Sequence, residues 1–309
     1  MTGNRFLLIS RVGPKSIHRH WLAPHGSRRF DLLLSSYDPA MKAPEGDGIL
    51  FEFRPGRKVA GYGEVLRAHG AMLKDYDYVA LFDDDLLIDA EGISRLFEIA
   101  AAHDLKIAQP ALTLGSHFTY GALLQHRGFL LRYVTYIEMM CPIFRTDILR
   151  TIAPLYDMGY ESGIDLIWCN LVHETPRDFA VIDAVPVEHT RPVGTGKAAN
   201  GFVAGRRYED DIAAILHRFG VGWLPCVPYA AIRGDGRQAG RGALLPAALG
   251  LASAVPRHSG YRAMKYRARG LAVYWKHLLS APPRNVTLGW PADLKVNDPL
   301  RRDAASDQV

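Results

Sequence analysis

Tyr76-Asp77-Tyr78-Val79-Ala80-Leu81-Phe82-Asp83-Asp84-Asp85-Leu86-Leu87-Ile88-Asp89 is the stretch whose reading decides the fold. Tyr78 to Phe82 are apolar and β-prone, as expected of a buried strand, and three consecutive carboxylates close it. Adjacent like charges behind an apolar strand repel one another and are costly to desolvate, so the pattern calls for a positive partner. Hard oxygen ligands suit Mg²⁺ or Mn²⁺, ions that keep coordination positions open for substrate phosphates. In an extended chain, side chains alternate, which puts Asp83 and Asp85 on one face and Asp84 on the other. That is the Asp-x-Asp arrangement of a metal–diphosphate site. The plainer alternative is a solvated acidic turn leading into a helix over Glu91 to His103, with Asp89 at its N-cap.

Working outward, strand and helix signals alternate. Arg5 to Ser10, Phe30 to Ser36, Ile49 to Phe53 and Lys106 to Pro110 read as strands, Gly63 to Leu73 and Ile93 to His103 as helices. This alternation predicts an α/β fold: a mixed, mostly parallel sheet flanked by helices, with ligands at the carboxyl ends of the strands. The stretch Thr113 to Asp157 is less regular, with Glu138 isolated in an apolar strand-like run and Asp147 to Ile152 helical. A Gly-rich loop, Gly159 to Asp165, leads into a helix over Leu166 to His173, and Phe179 to Val187 alternates as a strand ending at Glu188-His189. Arg233 to Gly242 reads as a Gly/Arg-rich linker, followed by helices over Ala243 to Val255 and Tyr261 to Leu279. The expected organisation is a catalytic domain over 1–225, a basic helical extension over 226–285 and a disordered tail over 286–309.

The 309 residues are 48% hydrophobic and 22% charged, ordinary for a globular chain. Three widely spaced cysteines, Cys141, Cys169 and Cys226, argue against a disulfide framework or a zinc site and suit a reducing compartment. No apolar stretch reaches membrane-spanning length, and the short run Phe6 to Ile9 is too brief for a signal-peptide core, so the expectation is a cytoplasmic protein. The net charge of +5 is uneven. From Cys226 onward ten Arg and three Lys face five Asp, a net +8, leaving 24 Lys and Arg against 27 acids before it. Aromatic-basic motifs of nucleic-acid modules are missing. The basic region is a candidate for peripheral contact with an anionic membrane, the alternative being a solvated helix without a ligand.

Five motifs in order resemble the DUF707 family: Tyr76 to Leu86, Ile107 to Leu112 (Ile-Ala-Gln-Pro-Ala-Leu), Ile137 to Phe144 (Ile-Glu-Met-Met-Cys-Pro-Ile-Phe), Gly163 to Leu166 (Gly-Ile-Asp-Leu) and Val181 to His189 (Val-Ile-Asp-Ala-Val-Pro-Val-Glu-His). The resemblance covers roughly Asn4 to Gly194. It implies a GT-A type nucleotide-diphospho-sugar transferase fold. At the metal strand the family carries Trp-Asp-Glu-Asp where this chain has Phe82-Asp83-Asp84-Asp85, which keeps the outer acids. The resemblance also implies that His189 completes the metal site, and it likens Asp165 to the acidic motif on the acceptor side of inverting GT-A enzymes.

Glycosyl transfer from a nucleotide sugar needs a neutralised diphosphate leaving group, a base for the acceptor hydroxyl if the reaction inverts, and a held donor. Asp83 and Asp85 are the expected metal ligands with His189, and imidazole tilts the choice toward Mn²⁺ over Mg²⁺. Asp84 is a candidate for donor ribose or sugar hydroxyls. Asp165, at a helix start, is the candidate base, with Glu161 as its competitor. Glu138 is a candidate for acceptor hydroxyls, or else a buried acid paired with Arg145 or another cation. Arg11 and Lys58 are candidates for phosphate or base, Asp38 for a ribose hydroxyl, and Gln109 for shaping the donor pocket. The partners expected are a nucleotide-sugar donor and a carbohydrate or other hydroxyl acceptor. Two other functions fit the same residues: a metal-dependent phosphoester hydrolase or nucleotidyltransferase, and a catalytically silent glycan-binding protein.

Overall fold

The computed structural model describes residues 4–24, 26–192, 207–254, 261–281 and 284–294. Eleven strands form the sheet framework: β1 (Phe6–Val12), β2 (Asp31–Ser36), β3 (Ile49–Phe53), β4 (Tyr78–Asp83), β5 (Leu86–Leu87), β6 (Ile107–Leu112), β7 (Phe129–Val134), β8 (Ile143–Arg145), β9 (Phe179–His189), β10 (Pro228–Arg233) and β11 (Gln238–Gly240). They are flanked by helices α1 (Lys58–Ala68), α2 (Gly70–Leu73), α3 (Ala90–Ala102), α4 (Thr146–Ile152), α5 (Asp165–Val172), α6 (Tyr208–Arg218), α7 (Leu244–Ala254) and α8 (Tyr261–Ser280).

The strand order is β11-β10-β7-β9-β6-β8-β4-β1-β2-β3, with β5 paired to β9. Strands β3, β2, β1 and β4 run parallel. Beyond them β8 is antiparallel to both β4 and β6, and β6 is parallel to β9. Strands β1, β2, β3, β4, β6 and β9 therefore all deliver their carboxyl ends to one edge. The chain leaves β1 in one direction through β2 and β3, then crosses back to place β4 on the other side of β1. That reversal opens a crevice outside the ends of β1 and β4. The central strands are buried throughout, as strands covered on both faces must be: every residue of β2 and β6 is buried, and so are Leu7 to Val12 of β1.

Helix α3 follows its expected chemistry. Asp89 is its N-cap, its carboxylate accepting from Gly92 N at 2.7 Å, and Ile93, Leu96, Phe97 and Ala100 form the buried face. Other elements depart from expectation. Helix α1 starts at Lys58 rather than Gly63, because its first N–H groups are capped by Glu161 from more than a hundred residues away. Strand β7 interrupts the stretch read as irregular, and the run around Glu138 is not a strand, since β8 begins only at Ile143. Arg233 to Gly242 is no linker. Strand β10 pairs with β7, and a turn at Asp235-Gly236, with Gly236 at φ +82°, folds β11 back onto β10. The sheet thus continues past residue 225. The start of the segment read as disordered is held as well: Val286 N donates to Asn170 Oδ1 at 2.9 Å and Leu288 N to Asn170 O at 3.0 Å. Residues 295–309 lie outside the described residues.

Candidate active site

Strand β4 ends at Asp83, and Asp84-Asp85 form the turn into β5. The strict alternation expected of three strand residues stops there. Asp83 is held by Lys58, whose Nζ lies 2.6 and 2.8 Å from its two carboxylate oxygens and also donates to Met139 O at 3.3 Å. Arg191, just beyond β9, bridges the other two acids: Nη2 to Asp84 Oδ1, and Nε to Asp85 Oδ2 at 3.0 Å. Gly13 N, at the end of β1, donates to Asp84 Oδ2 at 3.3 Å. A side chain at Gly13 would collide with the Tyr37 ring, its Cβ falling 2.1 Å from Tyr37 Oη, so glycine is what leaves room for Tyr37 against the end of β1. The positive charge demanded by the acid cluster comes, in the chain itself, from Lys58 and Arg191.

His189 closes β9 beside this turn, paired in register with Leu86. Its Nδ1 lies 2.7 Å from His117 O. A carbonyl only accepts, so Nδ1 carries a proton and Nε2 faces Asp85 Oδ2 at 3.2 Å. Burial opposes charge on the imidazole, but the hydrogen bond and charge of Asp85 outweigh it and raise the His189 pKa. Asp85 moves down correspondingly, against its own desolvation. Among the described residues the second oxygen of Asp85, Oδ1, is buried with no partner.

Two more acids lie near enough to Lys58 to feel its charge. Asp165 opens α5, and its Oδ2 accepts from Tyr136 Oη at 2.6 Å and Met139 N at 3.2 Å. Desolvation raises its pKa. Glu138 stands in the segment before β8. Gln109 Oε1 accepts its backbone N–H at 2.7 Å, while its side-chain Oε2 is buried with no partner among the described residues. Burial first, and then the charge of Asp165, push the Glu138 carboxyl up to about 7. Arg145 is not its partner, since it pairs with Asp104 and Asp147; the cations whose charge reaches Glu138 are His189 and Lys58.

The sign of the Glu138 shift makes a prediction. Between an ordinary carboxyl pKa of 4.5 and about 7 the folded state holds a proton that the unfolded state has released. Stability is therefore lost as pH rises through this window, by roughly 3 kcal/mol in all. Glu138→Gln removes this dependence. Urea unfolding of both proteins at pH 4 and pH 8 checks it: the variant should gain on the parent at the higher pH, and a constant difference would refute the placement of Glu138 as a proton-holding acid.

The structure gathers Asp83, Asp84, Asp85, His189, Lys58, Asp165 and Glu138 at one edge, and gives the remaining candidates other work. Both Glu161 oxygens accept N–H groups at the start of α1, from Val59 at 2.9 Å and Ala60 at 3.1 Å, so this acid is a helix cap. Arg11 is buried and spans Ser35 Oγ at 2.8 Å and Gly56 O at 3.1 Å, pinning the loop between β3 and α1. Asp38 closes a turn on Ala40 N at 2.8 Å. Gln109 steadies the backbone of Glu138. Arg191, Tyr136 and His117 were not singled out in the sequence. Arg191 sits two residues past His189 in Glu188-His189-Thr190-Arg191, a cation close in sequence to the strand end that meets the acids. Tyr136 and His117 act through partners remote in the chain.

Among the described residues no group of three or more His, Cys, Asp or Glu side chains stands ready as a metal cage. The donor set nevertheless fits a hard divalent ion. Asp85 offers a buried oxygen that has no partner among the described residues, and His189 an Nε2, oriented through Nδ1, that would have to give up its contact with Asp85 Oδ2 and the proton it carries there. Ions of this class are commonly held by one or two protein groups, with phosphate and water completing the shell. Asp83 would join only by releasing Lys58.

No family model and no curated protein matches the chain. Solved structures similar to it include S. aureus TarS 1–349, at 11% identity and TM-score 0.39, over 59% of this chain and 59% of that one. The same protein in complex with UDP-GlcNAc aligns at 11% identity and TM-score 0.41, over 69% and 64%, and in complex with UDP at 12% and 0.38, over 69% and 71%. The chain thus spans less than two thirds of the first two. Among the described residues no helix is long and apolar enough to cross a membrane.

Proposed function

We propose that this chain is a glycosyltransferase of GT-A type that takes a sugar from a nucleotide-diphosphate donor to a hydroxyl acceptor. The observation that carries the reading is the acid turn Asp83-Asp84-Asp85 at the topological reversal between β1 and β4, ringed by Lys58, Arg191 and His189 on one side and by Asp165 and Glu138 on the other. Such a crevice is where open α/β sheets bind nucleotides. Lys58 and Arg191, each paired with the acid turn, are read as the cations that would turn to a diphosphate, Arg191 with a planar fork that matches phosphate oxygens. Asp85 and His189 would hold Mn²⁺ or Mg²⁺, which when bound neutralises charge growing on the departing diphosphate.

The chain's own acids do the rest. Asp165, with Oδ2 fixed by Tyr136 and Met139, keeps Oδ1 clear of both and serves as the base that takes the acceptor hydroxyl proton. Glu138, protonated in part at neutral pH, presents its free oxygen to acceptor or donor hydroxyls. The two supporting carboxyls are otherwise committed, Asp165 Oδ2 to Tyr136 and Met139 N and Glu138 to holding a proton, which favours transfer over the two-metal phosphoester chemistry that wants free carboxylates around an ion pair. Cytoplasmic location and peripheral contact of the basic region with anionic lipid belong to the same proposal; vesicle co-sedimentation of the full chain left unchanged by Arg269→Gln with Lys276→Gln, two exposed cations of α8, would contradict the latter.

A thermal-shift screen of uridine, guanosine, adenosine, cytidine and thymidine diphosphates and their sugars, with and without Mn²⁺, tests the reading. A ligand at one hundred times its dissociation constant adds about 2.7 kcal/mol. At least one diphosphate should raise the melting temperature, and more so with Mn²⁺; no shift with any of them would overturn the proposal.

A further inference from the structure

Helix α8 reaches back from the basic C-terminal region into the support of His189. Arg267, on its inner face and only 7% exposed, aims its guanidinium at three successive carbonyls: Leu114 O at 2.8 Å, Gly115 O at 3.3 Å and Ser116 O at 3.2 Å. Its plane also lies 6.0 Å from the centre of the Phe118 ring. The helix is seated here by glycines. A Cβ on Gly121 would fall 2.9 Å from Gly270 O, and one on Gly270 3.0 Å from the Phe118 ring.

The turn that Arg267 holds is the one that orients His189. Ser116 Oγ accepts His189 N at 3.1 Å, His117 N donates to His189 O at 3.0 Å, and His117 O receives the Nδ1 proton at 2.7 Å. Three carbonyl dipoles converging on one side of a tight turn repel one another, and a buried guanidinium is the group that offers enough donors in one plane to hold all three. The turn is also tied to β9 by Thr113 N to Val187 O at 2.9 Å and by the bonds of Ser116 and His117 to His189. Without the guanidinium its three carbonyls lose their shared donor, and His117 O, next along the chain, is held less firmly against the imidazole.

We propose that Arg267 is a positioning residue of the cation site, acting through the Leu114–His117 turn to fix the His189 ring. The inference rests on the reading of Asp85 and His189 as cation ligands. Partners of a ligating histidine change metal affinity by about 10- to 100-fold when removed.

Two measurements on the full chain test it. In the first, Mn²⁺ alone is titrated and bound ion is read from the loss of its free-ion paramagnetic resonance signal. Arg267→Met, which keeps the aliphatic bulk, should weaken binding about 10- to 100-fold, and Arg267→Lys, which can reach fewer carbonyls, should fall between. In the second, the downfield imidazole N–H resonance assigned by its absence from His189→Asn should be sheltered from solvent exchange in the parent and exchange-broadened in Arg267→Met. A parent that binds Mn²⁺ with Arg267→Met equal to it in both readouts overturns the inference. A parent that binds no Mn²⁺ overturns the function reading instead, and the N–H resonance then decides the role of Arg267 by itself. Should Arg267→Met fail to fold, Arg267→Lys decides by the same pair of readouts, parental values in both counting against the proposal.

Discussion

Asp165→Asn is expected to lower turnover of the nucleotide sugar by about 10²- to 10⁴-fold, the range lost when a positioned general base is removed, while nucleoside diphosphate affinity stays near the parent's. The asparagine keeps the size of the side chain, and its carbonyl oxygen can still accept from Tyr136 Oη and Met139 N, the two groups that hold Asp165 at the start of α5. What it cannot do is take a proton. The check is release of nucleoside diphosphate from the donor identified in the thermal screen, together with calorimetric affinity for that diphosphate. Glu161→Gln serves as the comparison. Its carboxylate caps α1, so neutralising it should weaken the start of that helix by about 1 kcal/mol and leave turnover within a few-fold. Equal losses in the two variants, or a larger one for Glu161, would contradict the assignment of the base.

The second large effect concerns stability. Arg132 of β7 and Asp183 of β9 are both fully buried, joined by Arg132 Nε to Asp183 Oδ2 at 2.7 Å and Nη2 to Oδ1 at 3.0 Å. The guanidinium also donates to Ala122 O at 2.6 Å and Leu124 O at 2.8 Å, and Asp183 Oδ1 accepts His126 N at 2.8 Å. Removing one charge leaves the other stranded in the core, at a cost of about 3–5 kcal/mol. Against a total of roughly 5–15 kcal/mol, this brings Arg132→Met close to unfolding. The double variant Arg132→Met/Asp183→Leu should recover most of the loss, because a buried pair contributes little net stability over an apolar pair of similar size. Urea unfolding of the three proteins measures it. A single variant within about 1 kcal/mol of the parent would show that the pair is hydrated.

That same arginine explains why part of the fold was not legible. Phe129 to Val134 carries a charge in its middle, and local patterning penalises a strand there; only its partner on the neighbouring strand makes the charge admissible. The β10–β11 hairpin was missed for a related reason. Its edge strand is three residues long, and the Arg-Gly-Asp-Gly-Arg turn has the composition of a linker. By contrast β1, β2, β3, β4 and α3 were readable because their apolar spacing and the Asp89 cap are written in adjacent residues.

The candidate site divides the same way. Asp83 to Asp85, His189 and Asp165 were legible as acids and an imidazole at element ends, and the topology brings those ends to one edge. The partners of these groups were not. Glu161 looked like a free acid in a loop, yet its role is set by α1. Lys58, expected on phosphate, is engaged by Asp83, and Arg191 ties Asp84 to Asp85. Contacts of this kind depend on which distant segments the fold juxtaposes, and no local pattern encodes them.

The most direct test of the central claim is calorimetric titration of the nucleoside diphosphates into the full chain, with and without Mn²⁺, for the parent and for Asp85→Ala. The acid turn as a cation–diphosphate site predicts binding of at least one diphosphate that tightens with Mn²⁺, and loss of the Mn²⁺-dependent gain in Asp85→Ala. Binding that is unchanged by Asp85→Ala, or absent throughout, would contradict it.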